Sequence, residues 1–140
     1  NGSQNKLNCL KYFIKKHYGE VFFLTAPAGI FNFEEEYLEM VKYFIGKENI
    51  KDIYLVSENS CSFISHALQK KDLSGLECES ELKNMIEPGD TSHSISRKLL
   101  FKQMKKLSQN NLFGNEIAEG KLSVYKLLTD KNIDQITKLN

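Results

Sequence analysis

The sequence predicts an α/β fold, a mainly parallel sheet of four or five strands flanked by helices, in a single domain over residues 1–140. Three observations carry that prediction. A near-continuous apolar run, Val21-Phe-Phe-Leu24, ends in Pro27-Ala28-Gly29. A helical pattern fills residues 33–47. A second short apolar run, Ile53-Tyr-Leu-Val56, ends in Ser57-Glu58-Asn59-Ser60-Cys61. Strand, helix and strand at this separation form a βαβ unit, whose strands run parallel through a right-handed crossover.

Taken in order, Leu7, Leu10, Phe13 and Ile14 recur at helical spacing with lysines between them, and Gly19 supplies a stop, so a helix is expected over 6–17. Cys9 lies beside that apolar face as a structural thiol, and His17 suits the negative end of the helix dipole. The run from Glu20 to Ala26 is a strand buried on both faces, which Pro27 and Gly29 turn into a loop. In the next helix Tyr37, Met40, Val41, Phe44 and Ile45 form the apolar face, while Glu34, Glu35 and Glu36 complement the dipole of the first turn. Ile53 to Val56 is too short for a helix and is bounded by turn formers. A helix follows through Phe63, Ile64, Ala67 and Leu68 to about Lys71, with His66 facing solvent. The segment from Asp72 to Asp90 is the least regular and holds one short helix around Leu82–Ile86. Thr91 opens a long helix to about Gln109 with Ile95, Leu99, Leu100, Met104 and Leu107 apolar. His93 and Arg97 are four apart on it, a spacing that lets two side chains meet over an anion. Lys121 to Thr129 alternates as a strand that joins the sheet edge in either direction, and Asp130-Lys-Asn-Ile133 turns into the tail.

Composition narrows the function classes. Nineteen basic residues stand against eighteen acidic ones, so there is no global field to draw in nucleic acid or an anionic membrane. Arg97 is the only arginine, so guanidinium chemistry rests on it alone. Cys9, Cys61 and Cys78 are odd in number and lack metal-ligand spacing, the pattern of reduced thiols in a cytoplasmic protein. No apolar run reaches membrane-spanning length, and Asn1-Gly-Ser-Gln-Asn5 carries neither a signal peptide's apolar region nor an initiator Met, so the true beginning of the chain is expected to lie before Asn1.

Ligands of open α/β sheets lie outside the carboxyl ends of the strands, which makes Ala28, Gly29, Ser57, Glu58 and Cys61 the candidate cleft residues. Cys61 sits at the start of a helix, where the dipole lowers a thiol's pKa, so a cysteine nucleophile is one reading; it lacks a neighbouring base.

The order of parts resembles the β-class carbonic anhydrases, and more closely their short, divergent relatives. In that family one strand ends in Cys-x-Asp-x-Arg, a second in Ala-Gly, and a third in His-x-x-Cys followed by a small residue. Here Tyr18 through Ala28-Gly29 looks like the second strand and its turn, and Ile53-Tyr-Leu-Val-Ser-Glu58-Asn-Ser-Cys61-Ser looks like the third. Lys121 to Thr129, turning at Asp130-Lys-Asn, is similar to the closing strand. The resemblance implies a zinc held by two cysteines and a histidine, with an Asp-Arg pair beside it, and a homodimer. Cys61 matches one cysteine, but Glu58 stands where the histidine belongs, and the first motif falls near Asn1-Gly2-Ser3 without carboxylate or guanidinium. Water is activated at neutral pH when a bound cation lowers its pKa from about 15.7 to about 7, and an incomplete ligand set provides no such cation. The reading is a carbonic-anhydrase-like domain that has lost its zinc site, with no cofactor expected and a small molecule or anion as ligand of the remnant cleft. The alternative is a zinc-dependent hydratase that uses Cys61 and Glu58 with a third ligand from Cys9 or from residues before Asn1.

Overall fold

The computed structural model describes residue 30 and residues 35–69 and 78–140, with the side chains of Tyr37 and Cys78 left undescribed. The expected helix over 6–17, the strand over 20–26, Cys9, Ala28 and Gly29 lie outside the described residues. The elements are α1 (Glu35–Lys47), β1 (Asp52–Glu58), α2 (Ser62–Leu68), α3 (Cys78–Met85), α4 (Ser92–Gln109), α5 (Gly114–Ala118), β2 (Ser123–Asp130) and β3 (Gln135–Leu139).

Among the described residues the sheet has three strands in the order β1-β2-β3. β1 and β2 run parallel, in a register that sets Asp52 beside Ser123 and Glu58 beside Thr129. β3 returns antiparallel to β2. The late strand is therefore parallel to its predecessor, which settles the direction that the sequence left open, and it lies between β1 and β3 rather than at the edge expected of it, because β3 pairs with its other side. β3 itself was not foreseen: Gln-Ile-Thr-Lys-Leu is short and mostly exposed, so no buried face marks it. Its hairpin turns at Asp134, whose φ of 50° is left-handed.

α4 lies across β1 and β2 and carries both cores. At the strands' carboxyl end Cys61, Ile64, Ala67, Leu82, Ile95 and Leu99 form one buried cluster. At their amino end Leu38, Leu107, Phe113 and Leu122 form another, flanked by Val41, Ile45, Ile53 and Val124. From Ile95 to Leu107 the helix rises about 18 Å, which is how one element reaches both. Gly114 lets α5 come this close: a Cβ there would lie 2.6 Å from the Ser108 carbonyl oxygen.

Several local expectations are corrected. In α1 the buried residue is Leu38, with Val41 and Ile45 beside it, while Met40 is 59% and Phe44 39% exposed. Apolar residues occur almost all round this helix, so spacing alone did not single out the inward face. β1 continues through Ser57 and Glu58, making them strand rather than turn. α2 stops at Leu68, capped by Gln69, and α3 begins earlier, at Cys78. α5 was not anticipated. α4 starts as expected, because Thr91 and Ser94 form a capping box. Among the described residues no helix is long and apolar enough to cross a membrane.

Candidate functional site

The parallel register brings the end of β1 beside the end of β2 and the turn that follows it, so Ser57-Glu58-Asn59-Ser60 faces Thr129-Asp130-Lys131-Asn132. Glu58 is 1% exposed and sits at the centre. Its Oε2 accepts from the Ser60 amide at 2.6 Å and from the Ser60 hydroxyl at 2.7 Å. Its Oε1 accepts from the Lys131 amide at 2.9 Å and from the Thr129 hydroxyl at 3.3 Å. Both carboxylate oxygens are thus engaged, although the Thr129 hydroxyl has a single proton and shares it with the Ser57 carbonyl, also at 3.3 Å. The buried charge is thus held by hydrogen bonds from two separate chain segments, which pin the two strand ends together.

Asn59 extends the joint. Its amide N–H donates to the Thr129 carbonyl at 2.8 Å, and its Nδ2 donates to Asp130 Oδ2 at 3.0 Å. Asp130 Oδ1 accepts from the Asn132 amide at 3.0 Å, which shapes the turn. From the other side, α4 closes down with two serines. Ser96 Oγ donates to the Glu58 carbonyl at 3.2 Å, and Ser92 Oγ donates to the Asn59 carbonyl. At this joint Ser57 Oγ and Asn59 Oδ1 are buried without a hydrogen-bond partner among the described residues.

Cys61 is the N-cap of α2 and its side chain makes no capping hydrogen bond. The residue is 2% exposed and belongs to the apolar cluster with Ile64, Leu82 and Ile95. A nucleophile must meet its substrate, and this one is covered by hydrocarbon. His66, His93 and Arg97 are exposed. Of the expected cleft residues, the structure thus unites Ser57 and Glu58 at one strand end and sends Cys61 into the core just beyond it. Thr129, Asp130, Ser92 and Ser96 were not singled out in sequence. Their signal is conditional: once β2 is known to be parallel to β1, the Asp130-Lys-Asn turn must fall beside Glu58.

By sequence alone no family model and no curated protein matches the chain. By structure it matches the β-carbonic anhydrase CcaA with a TM-score of 0.67 at 13% identity, over 91% of this chain and 72% of that one. It has the β-carbonic anhydrase fold. CafD of the filamentous fungus Aspergillus fumigatus matches with a TM-score of 0.64 at 13% identity, over 79% and 70% of the two chains. Tetrameric β-carbonic anhydrases from the filamentous ascomycete Sordaria macrospora match with a TM-score of 0.60 at 18% identity, over 79% of this chain. The chain spans 63% of the length of that relative.

The β-carbonic anhydrase fold implies a zinc, so the fit of the residues present can be judged. Glu58 has its oxygens engaged by four donors, and Cys61 points into hydrocarbon rather than toward Glu58's polar shell. Among the described residues no group of three His, Cys, Asp or Glu side chains is placed to hold a metal ion. These residues do not fit a zinc site of the usual donor set and count.

Proposed function

We propose that this chain is a non-catalytic carbonic-anhydrase-like domain. In this reading the strand end that resembles the family's metal motif has become a structural joint, and the remnant cleft takes a small ligand. The observation that carries the proposal is the hydrogen-bonded Glu58 carboxylate. A group at the position of a metal ligand already accepts hydrogen bonds from the Ser60 amide and hydroxyl, the Thr129 hydroxyl and the Lys131 backbone amide, and coordination of a cation would require most of those bonds to break. Ser57 Oγ and Asn59 Oδ1 are the buried side-chain atoms of this strand end that lack a hydrogen-bond partner among the described residues. Two carboxylates, Glu58 and Asp130, stand around Asn59, which, of the small molecule or anion expected, favours a neutral hydrogen-bonding small molecule. Self-association belongs to the same reading, supported by the tetrameric state of the Sordaria relatives.

Elemental analysis of protein incubated with zinc and then dialysed, paired with stopped-flow carbon dioxide hydration, tests the proposal. The expected result is substoichiometric zinc and hydration no faster than in buffer. One zinc per chain, with hydratase activity that Glu58→Gln abolishes, would restore the zinc enzyme.

A further inference from the structure

Lys98, Lys102 and Lys106 stand at intervals of four residues along one side of α4, and each meets an acidic residue of α3 or of the turn that follows it. Lys102 Nζ lies 3.1 Å and Lys106 Nζ 2.7 Å from Glu81 Oε1. Lys98 Nζ lies 3.2 Å from Glu87 Oε2 and 2.7 Å from Asp90 Oδ2. All three lysine side chains are partly exposed, so water and dissolved ions reach this seam.

Beneath the seam α3 docks shallowly. Among its described side chains Leu82 alone is buried, and it enters the cluster that holds Cys61. Met85 at the end of α3 and Ile86 just beyond it pack against the same cluster. The other buried walls are Ile64 and Ala67 from α2 and Ile95 and Leu99 from α4. α4, by contrast, buries six residues and reaches both cores. An element held by one buried apolar side chain and a set of water-exposed ion pairs opens at lower cost than the sheet and the helix that crosses it.

We infer that α3 is a latch: it lifts from α4 as a unit while α4 and the sheet stay folded, and lifting it uncovers the Cys61 thiol. The lysine ladder sets how often this happens, because each pair adds a small, salt-screened contribution to the closed form. Cys61 is covered in the closed form and reactive in the open one. The inference requires neither a ligand at the strand end nor a second copy of the chain.

Alkylation by iodoacetamide, a neutral reagent, tests it on a Cys9→Ser, Cys78→Ser protein with native circular dichroism, in which Cys61 is the remaining cysteine. The Cys61 sulfur bonds to the reagent's methylene carbon, iodide leaves and the thiol proton passes to solvent, so mass spectrometry counts the modified chains. Where closing outruns alkylation, the rate reports the open fraction. Glu81→Gln removes the pairs to Lys102 and Lys106 and is expected to speed alkylation on the order of fivefold. Phe113→Leu weakens the other core, so it lowers global stability and is expected to leave the rate unchanged. Acceleration by Phe113→Leu in step with its loss of stability would mean that Cys61 is reached only through global unfolding. An unchanged rate in Glu81→Gln would mean that the ladder does not hold α3 down. Either result overturns the latch.

Discussion

The two ends of the β1–β2 pair are held by different chemistry. At the amino end, Leu38, Leu107, Phe113 and Leu122 bury hydrocarbon against Ile53 and Val124. At the carboxyl end, strand ends and the following turn are joined by buried polar groups, with Glu58 receiving four hydrogen bonds and Ser92 and Ser96 reaching across from α4. Hydrocarbon packing is non-directional and depends on volume, whereas a buried carboxylate depends on where its donors are. The amino end should therefore tolerate changes that preserve volume. The carboxyl end should not tolerate even a change that preserves shape.

The largest expected effect is at the amino end. Phe113 is 1% exposed, and Phe113→Ala should cost about 3–5 kcal/mol through lost burial and the cavity left behind. Phe113→Leu, which keeps most of the volume, should cost about 1.5 kcal/mol or less. Urea unfolding at constant slope reads both. Equal losses for the two variants would mean that the ring's shape, not its volume, holds this end.

The next effect is the counterpart at the other end. Glu58→Gln keeps the size of the side chain but turns one acceptor oxygen into a donor facing other donors. The expected loss is about 2–3 kcal/mol, larger than that of Phe113→Leu despite the smaller change of shape. If Glu58→Gln unfolds at the wild-type urea concentration, the joint contributes nothing and the contrast between the two ends fails.

This contrast also separates what the sequence disclosed from what it withheld. Ile53 to Val56 was legible as a strand because apolar runs between turn formers report burial directly. Thr91 was legible as the start of α4 because capping is local, settled within three residues. The role of Glu58 was not legible. Its partners Thr129 and Lys131 lie 71 and 73 residues away, and nothing local distinguishes a carboxylate offered to a ligand from one consumed by a neighbouring turn. Cys61 was ambiguous for a similar reason: the same position begins a helix and enters the core, and only the placement of Leu82 and Ile95 decides which its thiol meets. Met40 and Phe44 were assigned inward because hydrophobicity was read without the partner that selects a face.

The smallest effect lies at the approach to the joint, where Asp90 precedes the cap of α4. Its carboxylate accepts from Lys98 Nζ at 2.7 Å, from the Glu87 amide at 2.8 Å and from Ser94 Oγ at 2.7 Å. Lys98 foremost, then the Glu87 amide and Ser94, hold its pKa down from 3.8 to about 2. Between those values the unfolded chain binds more protons than the folded one, so stability falls as pH drops through this window and is fully present above it. Asp90→Asn should flatten the decline in thermal midpoint between about pH 4 and pH 2 relative to wild type, with little change in its pH dependence nearer neutrality. Lys98→Met should flatten it as well, since it removes the first of the three donors. Among the described residues no hydrogen bond joins the Glu58 and Asp90 carboxylates directly, so Glu58→Gln should leave the difference between wild type and Asp90→Asn intact across the same window. If that difference vanished, the cap of α4 and the strand-end joint would be one cooperative unit rather than two.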